Sequence, residues 1–162
     1  DSYLGLKALS NKAKFKNKEK LFFVDKYYKP EIPLNLTKYL LKFANSSIDV
    51  SDGLIDDLAK MINRQSLSFH LFENKIPVSN KLSNLIKKQR LNKINLISNG
   101  DDYQVLFTAD INKARIIQKA SKTTGIKITK IGKIVSGKDR SLIFDVKGKQ
   151  IRAKSKGYIH RF

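Results

Sequence analysis

Ser46-Ser47-Ile48-Asp49-Val50-Ser51-Asp52-Gly53-Leu54-Ile55-Asp56-Asp57-Leu58 changes period in its middle, and that change decides how the chain folds. Ser46 to Val50 is a short β-like run, whereas Leu54, Leu58, Met61 and Ile62 recur at helical spacing. Asp49 to Gly53 is therefore a strand-to-helix turn. In α/β proteins such turns carry the groups that hold metals and phosphates.

Asp49 and Asp52 lie three residues apart, and a turn can bring both carboxylates to one side. Hard oxygen ligands in that arrangement suit Mg²⁺, with water and phosphate oxygens completing the octahedron. Ser51 and the free backbone N–H groups at the helix start would then receive phosphate oxygens. A purely structural reading competes: Ser51 or Asp52 is an N-cap, and the helix dipole favours Asp56 and Asp57 in the first turn. On this loop alone the capping reading is the stronger one.

A second acidic loop, Asn99-Gly100-Asp101-Asp102-Tyr103, shifts the balance. It precedes Tyr103-Gln104-Val105-Leu106-Phe107-Thr108, a β-rich run in which Tyr103, Val105 and Phe107 share one face. The chain closes on Gly157-Tyr158-Ile159-His160-Arg161-Phe162, an aromatic, histidine-bearing tail where termini are usually polar and frayed. Each segment also has a plain structural reading, the loop as a turn into a core strand and the tail as a segment packed on the core.

Around these loops the pattern is mixed and contains no internal repeat. Leu21 to Tyr28 reads as a helix broken by Pro30 and Pro33, and Leu36, Tyr39, Leu40 and Phe43 mark a second one. Leu67, Phe69 and Leu71 alternate with Ser68 and His70, which predicts a half-buried strand with a solvated histidine on its polar phase. A helix after Pro77 carries Leu82, Leu85 and Ile86, and another carries Ile111, Ala114, Ile117 and Ala120 until Gly125. Ile126 to Val135 and Ser141 to Val146 read as strands paired across Gly137, with a further turn at Val146 to Lys149. Helices interleaved with strands, and a closing hairpin, predict a mixed sheet covered by helices.

With 162 residues the chain has room for one core. It has no cysteine, which excludes disulfides, thiolate zinc sites and cysteine nucleophiles, and fits a cytoplasmic location. Its apolar runs fall far short of membrane-spanning length, so a membrane partner is not expected. Because the sequence opens on Asp1 and not on methionine, its start is expected to have been lost, and no leader is read from it. The formal charge of +19 lies well beyond the magnitude of about 2 to 8 that suits a small soluble domain. Polyanion binding would draw on Lys12, Lys14, Lys16, Lys18 and Lys20, or on Lys87, Lys88, Arg90 and Lys93. Compositional bias is the better account: lysine is spread over the whole chain, arginine is scarce, and no aromatic series interleaves as a base-stacking surface needs. Nucleic acid is therefore not the expected partner, while a positive field would still attract phosphorylated small molecules.

In their order, the segments Asp49 to Leu54, Gly100 to Thr108, Ile131-Gly132-Lys133-Ile134 and Gly157 to Phe162 resemble the C-terminal domain of the thiamine-monophosphate kinases. That family belongs to the aminoimidazole-ribonucleotide-synthetase-like superfamily. Family members read Asp-x-Ser-Asp-Gly-Leu, Gly-Glu-Asp-Tyr-Glu-Leu-Leu-Phe-Thr, Ile-Gly-x-Ile and Gly-aromatic-Asp-His-Phe at these places. Here Asp101 and Gln104 replace two glutamates, Ile159 replaces an aspartate, and Arg161 intrudes before Phe162. Asp1 to Leu6 resembles the family's interdomain linker, so residues 1–20 are expected as a linker or helical arm and 21–162 as the C-terminal domain, without the family's N-terminal ATP- and Mg-binding domain.

The resemblance implies an α+β fold, a three-layer α/β/α domain with a mixed sheet. It implies the C-terminal half of an ATP-dependent kinase that converts thiamine monophosphate to thiamine diphosphate, inactive alone and homodimeric when complete. Asp49 and Asp52 would bind Mg²⁺, Ser51 would contact ATP, Asp101 would contact the thiamine moiety, and Tyr158 would pack on its rings. No catalytic nucleophile is implied. The competing readings are an ATP-dependent synthetase of the same superfamily and a non-catalytic basic binding module that keeps the fold.

Overall fold

A computed structural model describes residues 1–13, 15–63 and 65–153. The terminal motif Gly157 to Phe162, with Tyr158 and His160, lies outside the described residues, as does Lys14. The helices are α1 (Ser2–Leu9), α2 (Asn17–Tyr28), α3 (Leu34–Phe43), α4 (Leu54–Met61), α5 (Asn80–Gln89), α6 (Lys93–Ile97) and α7 (Ala114–Thr124). The strands are β1 (Ser46–Val50), β2 (Leu67–Phe72), β3 (Gln104–Thr108), β4 (Gly132–Ser136), β5 (Leu142–Phe144) and β6 (Gln150–Ile151). The protein is thus a mixed α and β fold, as its alternating periods predict.

Local chemistry marks the helix ends. Ser79 caps α5 by accepting from the Leu82 N–H at 3.0 Å, and Asn92 caps α6 by accepting from Asn95 at 3.0 Å. Gly125 ends α7 with φ of 70°, a left-handed conformation in which a side chain is disfavoured. None of the helices among the described residues is long and apolar enough to cross a membrane.

The strands form two sheets. β1 and β3 make an antiparallel ribbon in which Ile48 faces Leu106 and Ser47 faces Phe107. The ribbon's two faces diverge because side chains alternate along a strand. Leu106 and Val50 join the main core with Leu54, Leu58 and Ile94, whereas Phe107 packs with Leu36, Phe43 and Ala120 of α3 and α7. The rings of Phe43 and Phe107 lie 5.2 Å apart. A separate apolar cluster of Leu4, Phe23, Leu82 and Leu85 joins α1, α2 and α5.

The second sheet has the order β4-β2-β5-β6 and corrects the expected pairing across Gly137. β4 and β5 do not pair with each other. β2 lies between them, antiparallel to β4 and parallel to β5, and the closing hairpin is β5 with β6. Strand β4 begins at Gly132, so of the expected strand Ile126 to Val135 only Gly132 to Val135 joins the sheet. Two further expectations change with it. Ser68, assigned to a solvated phase, is 1% exposed, because its hydroxyl donates to the Gly137 carbonyl at 2.6 Å and accepts from the Arg140 N–H at 3.0 Å. His70 is half-buried, with its ring edge-on to Phe144 at 5.5 Å.

Ser68→Ala leaves the Arg140 N–H without its acceptor inside the fold, so a loss of about 1–3 kcal/mol is expected. Urea denaturation measures it; a midpoint equal to the parent's would show that water replaces the hydroxyl at no cost.

Candidate functional site

The strand-to-helix turn is held by a carboxylate that the local pattern assigns to another task. Asp57, in the first turn of α4, is 1% exposed. Its Oδ2 accepts from the backbone N–H groups of Ser51 (2.9 Å), Asp52 (3.0 Å) and Gly53 (3.1 Å). Neither Ser51 nor Asp52 is the N-cap: that position is Gly53, which has no side chain to offer. Its φ of 129°, and the Ser98 carbonyl 2.4 Å from where a Cβ would sit, demand glycine. The sequence places phosphate oxygens on Ser51 and the free N–H groups at the helix start; of the turn's N–H groups, those of Ser51, Asp52 and Gly53 are closed to them. Those donors are already spent on Asp57, and what the turn offers outward is carboxylate.

Lys60, in the last turn of α4, answers that charge. Its Nζ bonds to Asp52, to Asp56 Oδ2 at 2.7 Å and to Asp57 Oδ1 at 3.4 Å. The hydrogen bonds to Asp52 and then Asp56 hold the ammonium's pKa well above its ordinary value, against a smaller opposing effect of burial. Carboxylate oxygens of Asp52, Asp56 and Asp57 lie within 4.8 Å of one another, a spacing that a metal ion can also bridge. Asp49 is not among them: it is exposed on β1, opposite Val105 of β3.

The second acidic loop is fastened directly to the first. The Asp101 N–H donates to the Ser51 carbonyl at 2.9 Å, and the Tyr103 N–H donates to that of Val50 at 2.8 Å. Gly100 makes the approach possible, since a Cβ there would sit 1.7 Å from the Ser51 carbonyl oxygen. Asp101 and Tyr103 both hold positive φ, 70° and 49°. For a bulky residue such as tyrosine this is strained and costs on the order of 1–3 kcal/mol. Tyr103 accordingly precedes β3 and is 39% exposed, where the alternating pattern had placed it on a strand face with Val105 and Phe107. Burial, then repulsion from Asp102 and Asp52, pushes the Asp101 carboxyl above its ordinary pKa. Asp102 Oδ1 accepts from the Ser2 N–H at 3.2 Å and so ties α1 to the same loop.

The fold thus joins Ser51, Asp52 and Asp101 at one rim, leaves Asp49 on the neighbouring strand, and does not describe Tyr158. Sequence reasoning missed Asp57 as the turn's anchor and Lys60 as its cation. The only available signal was the run Asp56-Asp57 followed by Lys60 at three- and four-residue helical spacing. Lys93, counted above with a basic surface stretch, instead donates to the carbonyls of Glu73 (2.8 Å) and Ile76 (2.6 Å), and burial lowers its pKa.

Asp57→Ala strands three N–H groups and is expected to cost about 3–5 kcal/mol, with Asp57→Asn costing less because an amide oxygen still accepts. Stabilities within error of the parent would remove Asp57 from this role. For Asp101, both folded and unfolded chains hold the carboxyl proton at low pH. As pH rises the unfolded chain releases it first, and stability falls until the folded carboxyl ionises too. Asp101→Asn keeps a residue tolerant of positive φ. It is expected to be more stable than the parent at pH 7, to lose that advantage as pH falls through the raised folded pKa, and to have none left below the unfolded value of about 4. Denaturation midpoints across pH check this, and a difference that does not vary with pH would contradict it.

No family model matches the chain. Thiamine-monophosphate kinase of Buchnera aphidicola subspecies Schizaphis graminum is 32% identical over 162 residues, 99% of this chain and 49% of that protein. Among solved structures, AaThiL complexed with AMPPCP and TMP superposes with a TM-score of 0.71 at 25% identity, over 98% of this chain and 48% of that one. The Escherichia coli hydrogenase maturation protein HypE shares the fold alone, with a TM-score of 0.62 at 13% identity over 80% of this chain and 41% of that one. The chain spans about half, or less, of the length of the curated relatives it matches. In sequence and in fold it is homologous to the C-terminal part of thiamine-monophosphate kinase.

Proposed function

We propose that the chain supplies the C-terminal half of an ATP-dependent kinase that phosphorylates thiamine monophosphate to thiamine diphosphate, and that it is inactive without the remaining half. The observation that carries this reading is the fastening of the second acidic loop to the first, with the Asp101 N–H on the Ser51 carbonyl. It sets carboxylates from two distant motifs at one rim while Asp57 withdraws the turn's own N–H groups. AaThiL, crystallised with AMPPCP and TMP, supports a nucleotide and a thiamine phosphate as the two substrates.

Phosphoryl transfer depends on in-line positioning and charge neutralisation more than on covalent chemistry, so no nucleophile is sought in this chain. The donors present fit Mg²⁺: they are hard oxygens, and they already draw an ammonium into their midst. Asp52 would hold the ion from this group and Asp49, which stands outside it on β1, would join it as the family resemblance implies; when bound, the ion neutralises charge on the transferring phosphoryl group. The Ser51 hydroxyl contacts the nucleotide, held in place by the backbone bonds on either side of it. Asp101 contacts the thiamine moiety, and Tyr158 packs against its rings. The chain's high positive charge draws anionic substrates toward the rim.

In a protein carrying both halves, Asp49→Asn and Asp52→Asn are each expected to cut turnover at least about a hundredfold while leaving the melting temperature near the parent's. Asparagine still offers an oxygen for a structural hydrogen bond but is a poor ligand for Mg²⁺. Parental turnover in both variants would make these acids structural and end the kinase assignment of the loop.

A further inference from the structure

The run Ile126-Lys127-Ile128-Thr129 alternates apolar with polar residues, and the two phases meet different surroundings. Ile126 and Ile128 pack with Phe107 in the cluster of α3 and α7. Lys127 and Thr129 line a cleft of about 360 Å³, with Leu4 of α1, Leu82 of α5 and Ile97 of α6 on its apolar walls. Such a volume suits a small organic molecule, and none of Ser51, Asp52 and Asp101 lines it. The acids around the cleft hold partners within the fold: Glu31 pairs with Lys26, Asp1 Oδ1 accepts from Ser79 Oγ at 2.8 Å, and Asp102 Oδ1 accepts from the Ser2 N–H at 3.2 Å. Gln104 Nε2 donates to the Glu31 carbonyl at 2.8 Å. Two groups are left over. Thr129 Oγ1 is buried with no hydrogen-bond partner among the described residues, and a buried hydroxyl destabilises a fold until something pairs with it. Lys127 is exposed and takes part in none of the ion pairs among the described residues. It also lines the adjoining groove beside Pro33 and Leu34, which sets it at the cleft's mouth.

We propose that this cleft binds a small organic monocarboxylate, with its carboxylate on the Lys127 ammonium, its apolar body against Leu4, Val78, Leu82 and Ile97, and a hydroxyl on Thr129 Oγ1. The inference goes beyond the kinase reading and does not rest on it. The buried hydroxyl is a cost to the free protein, which an occupant with a hydrogen-bonding group at that end removes. At the other end one uncommitted ammonium balances one negative charge. The Glu31 and Asp102 carboxylates on the same cleft oppose a dianion such as a phosphate monoester, which favours a carboxylate over a phosphate.

NMR titration of the isotope-labelled 162-residue chain with para-hydroxyphenylacetate tests this. Saturable shifts are expected at the amides of Leu82, Ile97 and Thr129. Lys127→Met and Thr129→Val are each expected to weaken binding about threefold to tenfold. Phenylacetate, which lacks the hydroxyl, should bind the parent more weakly and be indifferent to Thr129→Val, and para-cresol, which lacks the carboxylate, should be indifferent to Lys127→Met. Without ligand, Thr129→Val is expected to melt no lower than the parent, because the hydroxyl it removes has no partner in the fold. A lower melting temperature would show that the hydroxyl holds a structural water, and would overturn its role toward a ligand. Thr129→Ser, which keeps the hydroxyl, is expected to keep the affinity. If Thr129→Val does not fold, Lys127→Met and the three compounds decide alone. No saturable shift at these residues, or para-hydroxyphenylacetate affinity unchanged in Lys127→Met, overturns the proposal.

Discussion

The carboxylate of Asp57, accepting from three successive backbone N–H groups, is the interaction on which the rest of the site depends. A helix that starts at a glycine has no side chain to cap it, and the sharp turn before it would leave its donors unpaired in a buried place. One buried anion resolves both problems, since charge-assisted hydrogen bonds are shorter and stronger than neutral ones. It also decides what kind of ligand the turn can take. A turn whose N–H groups faced outward would attract anions; this one spends those of residues 51–53 internally and presents Asp52 and Asp56, so its outward side is anionic and attracts a cation, here the Lys60 ammonium.

That inversion has a second consequence in a chain of net charge +19. Most of the surface repels cations, yet acids from two loops accumulate around residues 51–57 and 101–102, where burial first, and then repulsion from Asp102 and Asp52, raises the pKa of Asp101. Lys60 relieves part of it. Much of the remaining positive charge is solvated surface, and Lys93 is an internal crosslink to the carbonyls of Glu73 and Ile76. Bulk charge therefore describes how the molecule draws phosphorylated partners, whereas the site itself is built against the prevailing sign.

The joint between the two loops relies on backbone, not on side chains. Gly53 admits the Ser98 carbonyl and Gly100 admits that of Ser51, so the segments approach more closely than any Cβ would allow. Positive φ at Asp101 and Tyr103 is the cost of this approach, and the hydrogen bonds to Ser51 and Val50 offset it. HypE keeps the fold at 13% identity, so the fold itself tolerates wide change of sequence. The chemistry stays with the few residues at the rim.

Much was legible in the sequence because it is local. The change of period across Val50 and Gly53, the stripe of Leu82, Leu85 and Ile86, and the stop at Gly125 each depend on neighbours within a turn or two, and the helices and strands they predict are present. The order of the acidic motifs likewise pointed to the thiamine-monophosphate kinases, which the relatives bear out. Strand pairing was not legible. β4 and β5 both have the alternation of a hairpin, and nothing within either strand reports that β2, some seventy residues earlier in register, lies between them. Ser68 looked solvated for the same reason: its partners, Gly137 and Arg140, are distant in the chain. Asp57 and Lys60 show the limit most sharply. An acid in the first turn of a helix and a lysine in its last satisfy the helix dipole wherever they point, and only the tertiary fold, by burying the turn under Ser98 and Gly100, gave one the backbone of Ser51 to Gly53 to hold and the other three carboxylates to neutralise.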